Sequence, residues 1–254
     1  MTKSRFGRLL FHPDGESAWN MAVDQATSES ASRSAEAGKA TRPTLRFYTW
    51  SKPTLSLGYF QSSSDSSPRF DQLARVRRST GGGAILHHHE LTYSLIMPVS
   101  RGEHGARSDL YREMHAAITV ELARMTLRAR PFYLDKRHPS TEDAFLCFQR
   151  RTDEDLIVSG YKVLGSAQRR FRRAILQHGS LLLRASEYAS ELPGIFDLTS
   201  VDLDPGTLTS TIATRIGDAL GVVFENGELT PTEQQRAEQI QAERFNATAW
   251  WLRR

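Results

Sequence analysis

Residues 77–87 read Arg77-Arg78-Ser79-Thr80-Gly81-Gly82-Gly83-Ala84-Ile85-Leu86-His87. The segments on either side, Arg75 to Ser79 and Ala84 to Leu86, are strand-like, so the three glycines form a loop between strands. Glycine lets a backbone approach a ligand closely and turns successive amide hydrogens toward an anion or a carbonyl oxygen, and preceding arginines can add charge-assisted bonds. The spacing is neither the dinucleotide fingerprint nor a phosphate loop ending in Gly-Lys-Ser/Thr. The competing reading is a glycine-rich turn with exposed arginines, although a plain turn does not require the backbone entropy that three glycines cost.

Upstream of this loop, Leu45 to Trp50 and Thr54 to Phe60 read as two strands parted by a Ser-Lys-Pro turn. Before them, Ala18, Met21, Ala22 and Gln25 share one face of a helix over Glu16 to Glu29, with Asp14 as a possible cap. Ser28 to Thr41, rich in Ser and Ala, is expected to be a frayed helix end or a loop. Downstream, Leu91 to Met97 is a strand, and Leu110, Met114, Ile118, Leu122 and Met125 mark an amphipathic helix from about Ser108 to Leu127. Pro131 to Glu142 is polar and predicts a surface connection.

Leu156 to Val158 and Tyr161 to Leu164 flank Ser159-Gly160, a two-residue hairpin turn, after which Gly165 is expected to interrupt the strand. Ala174 to Leu183 is a buried strand, Leu208 to Leu220 a helix and Val222 to Glu225 a short strand. A last helix, Thr230 to Arg244, is capped by Thr230 with Pro231 at its first position. Strand runs between separated helices predict an α+β fold, a mixed sheet flanked by helices. With no repeat and no dividing linker, residues 1–254 are expected to form one domain.

Composition limits the function classes. At 39% hydrophobic and 24% charged, the chain is neither fibrous nor wholly disordered. No window reaches the roughly 18 uncharged apolar residues of a membrane span, and Met1 to Leu10 lacks a signal core, so a soluble cytoplasmic protein is expected. A single cysteine, Cys147, excludes an intramolecular disulfide and a four-cysteine zinc site. The net charge of +4 suits an acidic partner without demanding nucleic acid.

Several side chains could carry chemistry. Cys147, among Phe145, Leu146 and Phe148, is either a small buried hydrophobe or a nucleophile whose proton a nearby base removes. Lys162 lies mid-strand in an arginine-dominated chain whose other lysines are Lys3, Lys39, Lys52 and Lys136. It is either a solvated edge residue or a buried ammonium with functional use. His87-His88-His89 invites a metal reading, but on a strand only His87 and His89 could share an ion, and no accompanying ligand pattern supports one. His178 reads as a core or pocket-wall histidine. The run Arg169 to Arg173 is a solvated turn or a docking site for an acidic protein, since only Phe171 could stack on a nucleic acid base.

Five segments in order then carry a resemblance: Asp14-Gly15 with Asn20 to Asp24; Trp50 to Pro53 with Ser56 to Gln61; Arg77 to His87; Glu90 to Ser94; and Gly160 to Gln168 with Leu176 to Ser180. Together, over roughly residues 10 to 200, they are similar to the lipoate/octanoate protein ligase and transferase family, which is related to biotin protein ligases and the class II aminoacyl-tRNA synthetase catalytic domain. Cys147-Phe148, shortly before the lysine hairpin, most resembles the cysteine-dependent octanoyltransferases.

The resemblance implies transfer of an octanoyl group from octanoyl acyl carrier protein, through a Cys147 thioester, to a lysine of glycine cleavage protein H or a lipoyl domain. Lys162 would be the second catalytic residue. Arg78, Gly81, Gly82, Gly83, His87, Gly165, Ser166 and Ala167 would line the acyl site, with no cofactor and no metal. Two alternatives share the resemblance: an ATP- and magnesium-dependent lipoate ligase, in which Cys147 is structural, and a lipoyl amidotransferase. His88 stands where many members carry aspartate, so that carboxylate's role does not transfer. Gly83 resembles ligases as much as transferases.

Overall fold

The first strand, β1 (Arg5–Gly15), lies between two partners that come from opposite ends of the chain. It pairs in parallel with β2 (Thr44–Trp50) and with a strand near the C-terminus, and a parallel pair needs a crossover, which α1 (Ser17–Glu36) supplies. The structure is a computed structural model, and it describes residues 5–100, 106–134 and 144–254. Much of the surface connection predicted for Pro131 to Glu142 lies outside the described residues.

After β2 the chain leaves the main sheet for β3 (Thr54–Leu57), β4 (Ala74–Arg77) and β5 (Ile85–His87), which form a separate small sheet in the order β4-β3-β5. The two strands expected at Leu45 and Thr54 are thus both present but belong to different sheets, and β3 stops at Leu57 rather than Phe60. The chain returns through β6 (Glu90–Pro98) to α2 (Ala106–Arg124) and then β7 (Arg130–Pro131). The hairpin of β8 (Leu156–Val158) and β9 (Tyr161–Arg170) leads to β10 (Ala174–Leu182). A short α3 (Ile195–Thr199) and α4 (Pro205–Leu220) precede β11 (Val222–Asn226), α5 (Pro231–Ile240) and α6 (Thr248–Trp251). The main sheet runs β11-β1-β2-β6-β10-β9-β8-β7, parallel at the β1 pairings and antiparallel from β2 onward.

Side-chain alternation along the strands divides the core into two layers. Leu45 and Phe47 of β2, with Leu91, Tyr93 and Leu95 of β6, face Met114, Ile118 and Leu122 of α2 and Ile212 and Ile216 of α4. Tyr48 and Trp50 of β2 face Met21, Ala22 and Ala26 of α1, with Ala237 and Ile240 of α5 behind them. The serines that suggested a frayed end to α1 instead continue the helix to Glu36. The Thr27 and Ser28 hydroxyls bond back to the carbonyls of Val23 and Asp24, so small buried hydroxyls lie on the sheet without orphaned polar atoms. The α1 N-cap is Glu16, whereas Asp14 belongs to β1, where its backbone NH donates to Thr49.

Local signals held where they depend on few residues. Ser159 and Gly160 have φ of 49° and 86°, the paired positive values of a tight hairpin turn. Thr230 caps α5 reciprocally with Glu233, with Pro231 at the first turn. Gly165 does not interrupt β9, which continues in register against β10 to Arg170. Among the described residues no helix is long and apolar enough to cross a membrane.

Candidate active site

The glycine loop is built from within by Arg78. Its guanidinium is 1% exposed and spends Nη1 on the Ser56 carbonyl at 2.9 Å and Nη2 on the carbonyls of Gly81 at 2.8 Å and Gly83 at 2.6 Å. Burial lowers its pKa to about 10, and Nε has no partner among the described residues. The arginine expected to hold a ligand anion thus holds the loop's own carbonyls. Arg77 does the same outside the loop, bonding the carbonyls of Gly58, Gln61 and Trp251.

Cys147 is brought to this loop by backbone bonds. Its NH donates to Ala84 O at 2.6 Å, and Ala84 N donates to Phe145 O at 2.9 Å. The crossing is so close that a Cβ on Gly83 would lie 3.1 Å from Phe145 O and 3.2 Å from Cys147 N and Cα. Gly82, at φ +91°, turns the loop beside the thiol, and a Cβ there would sit 3.9 Å from Cys147 Sγ. Among the described residues the amides of Gly82 and Gly83 donate to no protein acceptor. Gly81 instead packs toward Phe60.

Lys162 approaches the same thiol from β9. It is 5% exposed rather than a solvated edge residue, and its ammonium is 2.8 Å from Asp155 Oδ2 and 3.9 Å from Cys147 Sγ. The carbonyls of Cys147 at 3.3 Å and Arg150 at 3.2 Å complete its surroundings. Gly165, three residues further along β9, leaves room for this chain, because a Cβ there would overlap Lys162 Cε and Nζ. Asp155 also accepts from the Thr152 NH at 2.7 Å and from Tyr111 OH at 3.3 Å. Its position directly before an apolar strand, across the hairpin from a lysine, was the one clue to it in the sequence.

These groups open on a narrow, mostly apolar cavity. Arg78, Gly82, His87, Cys147, Gly165, Ser166, Ala167 and His178 all line it. Gly81 and Gly83 do not reach its wall; Lys162 stands behind the thiol. Met21, Tyr48, Thr92 and Phe148 complete much of its lining, and the sequence analysis did not assign them to the acyl site.

The polar wall is held in place by buried networks. His87 stacks on Trp50 with ring centroids 3.8 Å apart and bonds Glu90 at 2.6 Å through Nδ1. Burial lowers the His87 pKa against the pull of Glu90, so the ring is neutral, donates from Nδ1 and keeps Nε2 as its acceptor. His178 links Thr80 at 2.7 Å to Asp24 at 3.3 Å. Ser166 Oγ meets Tyr93 OH at 2.7 Å and His115 Nε2 at 2.6 Å, and burial lowers the pKa of His115 to about 4.

The histidine triplet divides differently from the strand expectation. β5 ends at His87, so His88 and His89 leave the alternating pattern and stack on each other at 3.6 Å. With Glu187 they bring ligand atoms within 4.8 Å of one another, the one such group among the described residues. His87 takes no part in it.

Comparison with known proteins bears on what this arrangement does. Residues 16–197 match the family described as lipoyl protein ligase A/B catalytic domain. The chain is 32% identical, over 97% of its length and 98% of the relative's, to a Kyrpidia tusciae protein named octanoyltransferase LipM. A Halalkalibacterium halodurans protein of the same name is 30% identical over 97% of this chain and 99% of its own. Among solved structures, a lipoate-protein ligase A bound with ATP superposes with a TM-score of 0.77 at 20% identity, covering 97% of this chain and 98% of that one. A bipartite lipoate protein ligase from Thermoplasma acidophilum gives 0.75 at 20% identity, covering 98% and 96%. The mixed sheet and flanking helices are those of the lipoate protein ligases.

Proposed function

The chain belongs to the lipoyl protein ligase A/B catalytic domain family, and from that membership we propose that it is an octanoyltransferase working through a Cys147 thioester. The donor is octanoyl acyl carrier protein, and the acceptor is the target lysine of a lipoyl-carrying protein, glycine cleavage protein H or a dehydrogenase lipoyl domain. The observation that carries this reading is the meeting of the chain's single thiol, a buried lysine 3.9 Å from it and a glycine loop with unspent amides at the mouth of one cavity.

In the first half-reaction the Cys147 thiolate attacks the thioester carbonyl, and the tetrahedral intermediate collapses by breaking the bond to the carrier sulfur. The carrier thiolate leaves and takes up a proton. Lys162, fixed by Asp155, places a positive charge beside the attacking sulfur. The amide of Gly82, the loop glycine that lines the cavity, stabilises the developing oxyanion. In the second half-reaction the acceptor's neutral amine attacks the acyl-enzyme, an amide forms as the bond to sulfur breaks, the Cys147 thiolate is released and the amine's proton passes to water. Ile85, Phe148 and Met21 supply apolar lining for the acyl chain. Gly83, the residue shared with ligases, is accounted for by the close crossing of the Cys147 segment.

Intact-protein mass spectrometry tests this reading. Mixing with octanoyl acyl carrier protein in the absence of ATP should give one octanoyl adduct on the wild type and none on Cys147→Ala. Apo protein H should discharge the adduct. Acceptor modification only in the presence of lipoate, ATP and magnesium would overturn it.

A further inference from the structure

The C-terminal segment comes back to the active-site loop and brings arginines with it. Trp250 Nε1 donates to Arg77 O at 2.8 Å, and Arg77 clamps the Trp250 and Trp251 carbonyls. Ser63 donates its NH and its hydroxyl to the Arg254 carbonyl at 2.8 and 3.0 Å, which pins the segment on its other side. Around Tyr59, Phe60 and Trp250 the guanidinium groups then converge. Arg253 lies 3.8 Å from the Tyr59 ring centre and 4.8 Å from that of Trp250, and Arg244 lies 4.6 Å from Trp250. Arg169 lies 6.0 Å from Tyr59, and Arg254 lies 5.5 Å from Phe60.

Like charges gathered this closely repel unless something neutralises them. Among the described residues none of Arg77, Arg169, Arg244, Arg253 and Arg254 is ion-paired with a carboxylate. Glu29, whose charge reaches Arg169, is itself bound to Arg236 at 2.9 Å. The Arg253 guanidinium, with Arg169 and Arg244 beyond it, holds the Tyr59 phenol below its ordinary pKa, as a concentrated positive field would. The patch also exposes an aromatic: Phe60 is 65% exposed although its ring packs toward Gly81, one residue from the turn beside Cys147.

We propose that this arginine-aromatic collar is the docking surface for the acidic carrier protein that delivers the acyl thioester. The proposal rests on the transferase reading above and adds where its donor binds. Carboxylates on the carrier and the phosphodiester of its thioester arm are the anions that planar guanidinium groups bind bidentately. Uncompensated charge at the rim acts mainly on encounter rate, and an exposed aromatic supplies the apolar contact that interfaces favour at their centre. Of the two protein partners, the donor carries the phosphate next to the group that must reach the thiol, and the collar adjoins the loop on which that thiol rests.

The test separates the two half-reactions in Arg253→Glu/Arg254→Glu and, as a second variant that disturbs no ring packing beyond the exposed Phe60, in Arg254→Glu. Loading of Cys147 is followed by intact mass from octanoyl carrier protein and, separately, from octanoyl pantetheine, which has no protein and no phosphate. The double variant should load from the carrier about ten- to a hundredfold more slowly at low salt, and the single variant about threefold more slowly. Both should load normally from the small thioester and discharge normally to apo protein H. Added salt should slow the wild type's loading from the carrier and leave the double variant's nearly unchanged. Equal slowing with both thioesters would make the collar a prop for the loop and overturn the proposal. Slowing of the discharge step alone would assign the surface to the acceptor and overturn it too. Unchanged loading from the carrier in both variants would overturn it while leaving the transferase reading intact. A wild type that forms no adduct from either thioester would remove both.

Discussion

Among the described residues two carboxylates are buried against a buried arginine or lysine, and the two pairs differ in what surrounds them. Asp24 and Arg46 lie between α1 and the centre of the sheet, 2.9 Å apart. Asp24 accepts from Arg46, from Tyr48 OH at 3.1 Å, from Ser94 Oγ at 2.7 Å and from His178. Arg46 spends its remaining donors on the Asn20 side chain and carbonyl and on His12. Every arm of this pair is occupied by structure. Asp155 and Lys162 lie at the edge hairpin, 2.8 Å apart and as deeply buried, but the cation there is a single ammonium with a thiol 3.9 Å away. A planar guanidinium locks elements together through several fixed donors, whereas an ammonium is a compact charge whose influence reaches a neighbouring sulfur.

The largest effect expected from this contrast is on chemistry. Replacing both members of the hairpin pair, as Lys162→Met/Asp155→Leu, removes two buried charges together and leaves the Thr152 NH and Tyr111 OH without that acceptor, fewer orphaned partners than at the other pair. Loading of Cys147 should nevertheless fall by about 10²- to 10⁴-fold, the range for loss of a positioned catalytic group. A variant that folds and loads like the wild type would make Lys162 a structural residue and erase the contrast.

The reverse is expected at the other pair. Arg46→Met leaves Asp24 charged and buried without its cation, which costs about 3–5 kcal/mol. Asp24→Leu/Arg46→Met should recover little of that loss, because Tyr48, Ser94, Asn20 and His178 lose partners as well. Urea denaturation of the two double variants side by side measures the difference.

Each pair also keeps a neutral histidine nearby, and acid should act on both. His115, beneath Ser166 on the hairpin side, has its pKa lowered from 6.5 to about 4 by burial. His12, which accepts from Arg46 Nε at 2.8 Å, is lowered to about 4 by partial burial and by Arg46 itself. The unfolded chain therefore binds more protons between these values, so their contribution is fully present above pH 6.5 and is lost as pH falls toward 4. For fully buried His115 the loss is about 3 kcal/mol; water reaches His12, and its share is smaller. Asp24, held below its usual pKa of 3.8 against the cost of burial by its bonds to His178 and Arg46, loses its contribution only at lower pH. His115→Gln should therefore flatten part of the stability loss between pH 6.5 and 4 in chemical denaturation, the remainder belonging to His12 and to buried His87, whose pKa is also lowered by burial. A variant curve parallel to the wild type's would show that His12 and His87 carry the dependence.

What the sequence made legible follows the range of the interactions involved. The Ser159-Gly160 turn, the Thr230 cap and the glycine loop each depend on a few adjacent residues with one strong preference, and each is where its residues place it. β1 was not legible, because Arg5 to Leu10 alternates poorly and its partners are 36 and more than 200 residues away. The separation of β2 from β3 into different sheets was hidden for the same reason. Asp155 ends the acidic run Asp153-Glu154-Asp155, which reads as a solvated turn until the hairpin packs on Tyr111. Arg46, a charge inside an apolar strand, was the available signal for the structural pair.

The smallest predicted effect asks whether the hairpin region is tuned by position as well as by charge. Gly83 keeps no ligand at its α-carbon; its role is to let the Phe145–Cys147 backbone cross the glycine loop closely enough for paired hydrogen bonds at 2.6 and 2.9 Å. In Gly83→Ala the new methyl lies 3.1–3.2 Å from three backbone atoms of that segment, so the chain must yield by a few tenths of an ångström. A shift of this size breaks no ion pair and empties no core, and the melting temperature should barely change. It does move the sulfur relative to both Lys162 and the loop amides, and misplacement by about 1 Å can cost roughly a hundredfold, so a few tenths should slow loading by about tenfold. Loading from octanoyl pantetheine is the sensitive measurement, since it needs no protein docking. Unchanged loading there would mean that the thiol is free to find its own position, and that the difference between the two buried pairs is one of charge alone.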